Sequence, residues 1–215
     1  MFVGERMNRP VISLTPETPV NDALHLMRTE HIRRTPVVAH GKLVGIVSMK
    51  DLLNASPSNA TSLSMWELNY LLSKLKVERI MTHTVLTVTE ETPIEEAARM
   101  MADQRIGGLP VVRGGEVIGI ITETDLFKIL LELMGARDTG VRCEIRMLDE
   151  PGQLAKLTGA LAGAGGNILA LGTFAGESVG HSMVTFKVAG LTPDEVRSLI
   201  TPIVERVVDV RVSHP

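Results

Sequence analysis

Shifting the chain against itself by 74 residues lays Met7–Leu53 on Met81–Phe127 without a gap. Self-similarity at one fixed period constrains the fold more than any local preference. Met7 falls on Met81, Thr15 on Thr89, Pro19 on Pro93, Ala23 on Ala97, Met27 on Met101 and Ile32 on Ile106. The match continues with Pro36-Val37-Val38 on Pro110-Val111-Val112, Gly41 on Gly115, Gly45-Ile46 on Gly119-Ile120 and Asp51-Leu52 on Asp125-Leu126. The first two thirds of the chain are therefore one unit built twice.

Each copy reads in the same order. A short strand, Val11 to Leu14 in the first copy, precedes a helix opened by Thr18-Pro19, where a hydroxyl can cap and proline suits the first helical position. That helix is amphipathic, with Val20, Ala23, Leu24 and Met27 in one copy and Ile94, Ala97, Ala98 and Met101 in the other at helical spacing. A hairpin follows, from Pro36–Ala39 to Leu43–Val47 through Gly41, and from Leu109–Arg113 to Val117–Ile121 through Gly114-Gly115. A last helix begins after Ser48 and after Thr122.

Ser48-x-x-Asp51 and its copy Thr122-x-x-Asp125 stand where a strand hands over to a helix. A carboxylate there can accept hydrogen bonds from both hydroxyls of a ribose, and free helix N–H groups favour phosphate. The same residues also suit plain helix capping. The copies differ nearby: Arg33-Arg34 replace Gly107-Gly108, Lys50 stands opposite Thr124, and Glu123 replaces Met49. Arginines beside a cleft suit a phosphate tail, though His31-Ile32-Arg33-Arg34 also reads as a solvated basic patch.

The strand, the Thr-Pro-started helix, the Pro-Val-Val strand and the endings Gly-Ile-Val-Ser-Met-Lys-Asp and Gly-Ile-Ile-Thr-Glu-Thr-Asp together resemble the tandem CBS pair, or Bateman module, over residues 1–135. The resemblance implies two pseudo-symmetric clefts for an adenine nucleotide: AMP, ADP, ATP or S-adenosylmethionine. One would combine Ile46, Ser48 and Asp51 with Val85, Ile106 and Gly107. The other would combine Ile120, Thr122 and Asp125 with Val11, Ile32 and Arg33. Main-chain groups at Ile32 and Ile106 would read the adenine edge.

Between the copies, the Ser-, Asn-, Ala- and Pro-rich stretch 54–61 reads as a loop. Ser64 and Glu67 form a capping box ahead of Leu68, Leu71, Leu72 and Leu75, which predicts a connecting helix over 64–76. Trp66 and Tyr70 share one face of it and suit either core packing or a partner surface. The run from Ser62 to Leu72 resembles the linker of the acetoin-utilization CBS-ACT proteins. The expected division is 1–63 for the first repeat and its loop, 64–76 for the connecting helix, 77–135 for the second repeat and 140–215 for a further domain.

That last third carries no copy of the repeat. Its pattern predicts strand 141–147, helix 152–163, strands 167–174 and 181–188, a helix over 193–200 or beyond and strand 207–212, the ferredoxin-like βαββαβ order. The second helix opens on a capping box, Thr192-Pro193-Asp194-Glu195, and Pro202 should kink it or end it early. Asp149-Glu150-Pro151-Gly152-Gln153-Leu154 and Gly165-Gly166-Asn167-Ile168 resemble the ACT domain, which implies an amino-acid site near Gly152 and Asn167. Both stretches also read structurally, Gly152 as a tight turn and Gly166-Asn167 as the left-handed end of a helix. The expected fold class is α+β, a Bateman module followed by an ACT domain.

No stretch looks built for catalysis: the six histidines are scattered, and no P-loop or Gly-x-Ser-x-Gly occurs. Cys143 is the single cysteine, which rules out an internal disulfide, and its alternating neighbours predict a buried thiol. A net charge of -3 gives no global pull on nucleic acid. The apolar runs are too short to span a bilayer and Met1–Pro10 has no apolar signal core, so a soluble cytoplasmic protein is expected. The expectation is a non-catalytic regulator without metal or cofactor, whose family resemblance implies a homodimer. The alternative is a dimeric scaffold with vestigial clefts.

Overall fold

His40 and Gly41, both with left-handed backbone (φ 51° and 77°), turn strand β1 (Arg34–Ala39) into β2 (Lys42–Ser48) in the computed structural model of the chain. Gly114 and Gly115 (φ 60° and 89°) do the same between β3 (Gly108–Arg113) and β4 (Glu116–Thr122). Two consecutive positive φ values match the twist of a tight antiparallel hairpin. The structure describes residues 1–55, 74–176 and 179–215, and the chain divides into two units, Met1–Leu126 and Phe127–Pro215. The connecting helix expected over 64–76, with Trp66 and Tyr70, lies outside the described residues apart from 74–76.

In the first unit the helices are α1 (Val3–Arg6), α2 (Val20–Thr29), α3 (Met49–Ala55), α4 (Ile94–Gln104) and the start of α5 (Glu123–Leu133), inside which the unit boundary falls. The four strands form one sheet in the order β1-β2-β4-β3, and the two hairpins meet at Lys42 and Glu116. These are equivalent positions of the repeat, so a pseudo-twofold axis passes between them. The amphipathic stripe of α2 turns inward: Val20, Ala23, Leu24 and Met27 are buried with Leu14, Val37, Val47 and Leu52.

Two local expectations are corrected. Val11–Leu14 is not a strand but a single parallel bridge, Leu14 to Val37, repeated as Val88 to Val111. The Thr18 and Thr92 hydroxyls do not cap their helices. They accept instead from the N–H groups of Thr15 (3.2 Å) and Thr89 (3.1 Å), and Pro19 and Pro93 take the cap position. The open N–H at each helix start finds a distant carbonyl, Val20 N donating to Leu75 O (2.9 Å) and Ile94 N to Met1 O (3.2 Å), so no hydroxyl is needed there.

Those bonds belong to a larger exchange. The segment before each copy completes the other copy. Val77 N donates to Thr18 O and Val3 N to Thr92 O, both at 2.9 Å, and Val3 and Val77 are fully buried. Thr82 pairs with Ile46, and Asn8 with Ile120.

The second unit orders its elements as β5 (Gly140–Leu148), α6 (Gln153–Gly163), β6 (Asn167–Ala175), β7 (His181–Ala189), α7 (Pro193–Ile200) and β8 (Arg206–Ser213). Its antiparallel sheet runs β6-β7-β5-β8. Strand β5 alternates strictly. Val141, Cys143, Ile145 and Met147 are buried with Leu157 and Leu161 of α6 and Val196 and Ile200 of α7, while Arg142 faces the other way and pairs with Glu144 (3.1 Å) and Asp209 (3.0 Å). The Thr192–Glu195 capping box forms, with Glu195 N donating to Thr192 Oγ1 (3.3 Å) and Thr192 N to Glu195 Oε2 (2.8 Å). The left-handed residue after α6 is Gly165 (φ 85°), not Gly166-Asn167. Gly166 is required for a different reason: a Cβ there would lie 2.9 Å from Leu161 O.

Candidate functional site

The hairpin ends and the crossed segments enclose a cleft of about 730 Å³ in the first unit. Ile46, Ser48 and Asp51 from one copy line it together with Val85, Ile106 and Gly107 from the other. It forms because β2 ends at Ser48, where Thr82 from the second copy has just paired with Ile46. Asp51 sits in the first turn of α3, and its Oδ2 accepts from Ser48 N (2.9 Å) and Ser48 Oγ (2.6 Å). Capping is thus part of its role. Its other oxygen, Oδ1, has no hydrogen-bond partner among the described residues and remains an available acceptor.

Charge in the cleft is mostly positive: Arg33, Arg34, Lys50 and Arg105 line it beside the Asp51 carboxylate, and Glu123 Oε2 stands close by, 2.5 Å from where a Cβ on Gly107 would lie. Arg33 therefore lines the Asp51 cleft, whereas the family resemblance implies it for the other. Arg34 lies across Gly107 and Gly108, where any Cβ would collide with its side chain. Burial lowers the Arg34 pKa from its ordinary value; Glu123 pulls it back up, and Arg33 beside it pushes it down further. A half-desolvated guanidinium next to a second one favours an incoming anion.

Arg105, Thr82 and Thr84 also line the cleft and were not singled out from sequence. The available signal for Arg105 is the repeat itself. Arg105 and His31 occupy equivalent positions, both left-handed with φ 53°, and only the second copy places a permanent cation there. Ile106 offers less main chain than expected. Its N–H is spent on Met101 O (3.0 Å), as the Ile32 N–H is on Met27 O (2.9 Å), so an adenine edge would meet carbonyl groups.

Around the second motif, Thr122 N (3.0 Å) and Thr122 Oγ1 (2.6 Å) donate to Asp125 Oδ2, as in the first copy. Here a further donor is present, Asn8 Nδ2 at 2.7 Å, and Asp125 is only 6% exposed. Ile120 at the end of β4 is buried, and Val11 and Ile32 are half-buried.

In the second unit, Gly152 and Asn167 are not brought together. Gly152 (φ 88°) precedes α6, and Asn167 opens β6 beyond the helix's other end. The eleven residues of α6 span about 16 Å at 1.5 Å per residue. A smaller hollow of about 210 Å³ lies on the sheet instead, lined by Met134, Arg142, Phe186 and Lys187 among others. Lys187, 3% exposed, fills its donors on Gly135 O (2.7 Å), Asp138 O (2.8 Å) and Ser213 Oγ (3.1 Å). No group of side chains with metal-ligand geometry and no helix long and apolar enough to cross a membrane occurs among the described residues.

The sequence profile of the CBS domain matches residues 3–58 and 77–132. A CBS domain-containing protein of Dictyostelium discoideum is 30% identical over 136 residues, covering 62% of this chain and 94% of its own length. The inosine-5'-monophosphate dehydrogenase of Korarchaeum cryptofilum is 38% identical over 120 residues, 55% of this chain but only 22% of that much longer protein. Among solved structures, one from Vibrio cholerae described as an acetoin utilization protein, AcuB, is 34% identical, covers 64% of this chain and 98% of its own, and superposes with a TM-score of 0.52. CBSX2 in complex with AMP is 34% identical over 61% of this chain and 97% of its own, with a TM-score of 0.52. The CBS domain pair of protein MJ0100, in complex with 5'-methylthioadenosine and S-adenosyl-L-methionine, is 28% identical over 60% of this chain and 95% of its own, with a TM-score of 0.51. The two profile matches fall on the two copies of the repeat and together take up more than half of the 215 residues, so the chain belongs to the CBS domain family.

Proposed function

We propose that the chain is a non-catalytic regulatory protein that binds an adenine nucleotide in the Asp51 cleft and passes the occupancy on as a change in the CBS pair. The observation that carries this reading is the composition of the cleft: an available carboxylate oxygen, apolar walls from Ile46, Val85 and Ile106, and four cations on one small surface. Asp51 Oδ1 takes the ribose hydroxyls, the isoleucines pack on the base, and Arg33, Arg34 and Lys50 take the phosphates. The adenine ligands named for CBSX2 and for the MJ0100 pair support the same chemistry.

The βαββαβ unit acts in this reading as an ACT-type domain for small-molecule sensing or dimerisation, the chain works as a cytoplasmic homodimer, and the Vibrio cholerae relative points to acetoin utilization. Residues 1–63 and 77–135 serve as the two repeats, 64–76 as their connection and 140–215 as the sensor. Regulation requires that the ligand bind two states of the pair with different affinity.

Thermal unfolding with AMP, ADP, ATP and S-adenosylmethionine tests the ligand. A binder at a hundred times its dissociation constant stabilises by about 2.7 kcal/mol. If none of the four moves the transition, the adenine reading fails and the dimeric scaffold takes its place.

A further inference from the structure

We infer that Asn8 is a built-in competitor for the second carboxylate, making the two clefts unequal: the ligand fills the Asp51 cleft first, and the Asp125 cleft binds at least tenfold more weakly. This rests on the adenine-nucleotide reading above. In the first copy, Oδ2 of the carboxylate accepts only from its own Ser48 among the described residues, whereas in the second, Oδ2 accepts from Thr122 and also from Asn8 Nδ2 at 2.7 Å. Asp125 is only 6% exposed where Asp51 is half-buried, and its Oδ2 carries three donors, Thr122 N, Thr122 Oγ1 and Asn8 Nδ2, against two on Oδ2 of Asp51. A ribose that engages Asp125 has either to displace the amide or to share the carboxylate's charge with it, and losing one charge-assisted bond corresponds to a tenfold or larger change in affinity.

The repeat itself supplies the control. Position 8 corresponds to Thr82, and both residues make the same backbone bridge. Asn8 exchanges N–H and carbonyl with Ile120 (2.8 and 3.2 Å), and Thr82 does so with Ile46 (2.9 and 3.0 Å). Thr82 lines the Asp51 cleft without donating its hydroxyl to Asp51 among the described residues. Asn8→Thr therefore keeps the backbone pairing that holds the crossed segment and removes only the amide.

The test is calorimetry with adenosine, which has no phosphate and so does not respond to the different charges around the two clefts. The parent, Asp51→Ala, and the double variant Asp51→Ala with Asn8→Thr are compared, each checked for folding by thermal unfolding without ligand. The double variant should bind adenosine at least tenfold more tightly than Asp51→Ala alone. Equal or weaker binding by a folded double variant overturns the inference, and Asn8→Ser carries the same comparison if the threonine variant does not fold. A parent that binds neither adenosine nor AMP sinks the adenine reading and this inference together. A parent that binds, with Asp51→Ala weakened but insensitive to residue 8, sinks the inference alone.

Discussion

Met81 lies over Gly45 so closely that a Cβ on residue 45 would come within 2.5 Å of its Sδ and 3.1 Å of Thr82 O. Met7 stands in the same relation to Gly119, with Asn8 O at 3.2 Å from the missing Cβ. The thioether can yield, but the two carbonyls are held by the bridges between the copies. Gly45→Ala and Gly119→Ala should each destabilise the first unit by about 1–3 kcal/mol, as overpacking does. Urea titration of both variants measures this, and midpoints equal to the parent's would mean that the crossing is looser than described.

Arg34 is expected to act through charge. Removing it as Arg34→Ala should cost ATP tenfold or more in affinity while leaving adenosine within about threefold, because only phosphate gains from a guanidinium. Parallel calorimetry with the two ligands reads the difference. Equal losses for both would assign Arg34 to packing against Gly107 and Gly108 rather than to the ligand.

Cys143 is fully buried, and burial pushes its thiol up to about 12, with Asp209 adding to the effect. In the unfolded chain the same thiol loses its proton near ~8.5. The folded state then holds one proton more than the unfolded state over the interval from about 8.5 to about 12, so stability falls as pH rises, by about 1.4 kcal/mol per pH unit from this group. Denaturant unfolding from pH 7.5 to 10.5 should show a steeper alkaline decline for the parent than for Cys143→Ala. Matching slopes would contradict the burial.

Lys187 ties Gly135, Asp138 and Ser213 to the second sheet through one ammonium. Lys187→Met keeps the length of the side chain but leaves two carbonyls without their donor. A loss of at least about 1.5–3 kcal/mol is expected, the range for a hydrogen bond to a charged group. Amide exchange provides a second readout, faster at Asp138 and Gly140 in the variant, and unchanged exchange would show that the ammonium holds nothing in place.

Much of this architecture is legible in the sequence because the repeat checks itself. Both hairpins, both amphipathic helices and all six elements of the second unit follow from periodicity and turn residues, and the Thr192–Glu195 box closes as its spacing dictates. What escaped was non-local. A Thr-Pro pair looks the same whether its hydroxyl caps a helix or closes a Thr15–Thr18 turn, and only the arrival of Leu75 O at Val20 decides between them. The exchange of Val3 and Val77 between the copies likewise leaves no local mark. For the cleft, the family resemblance named Ile46, Ser48, Asp51, Val85, Ile106 and Gly107 for one space, and those residues line it; Arg33, which it named for the other, reaches this one, because a sequence position does not give the direction of a long side chain. Gly152 and Asn167 rest on the family resemblance, and they stand at opposite ends of α6.

Calorimetry of AMP binding to the parent and to Asp51→Ala bears on the central claim without intermediaries. Asp51 contributes a charged acceptor whose Oδ2 is already held by Ser48 and whose Oδ1 is available for the ribose. The parent should bind AMP, and Asp51→Ala should lose tenfold or more of that affinity, the equivalent of about 1.5–3 kcal/mol for a charge-assisted bond, while keeping its fold. A folded Asp51→Ala protein that binds AMP as tightly as the parent would contradict the account and leave Asp51 with helix capping as its whole role.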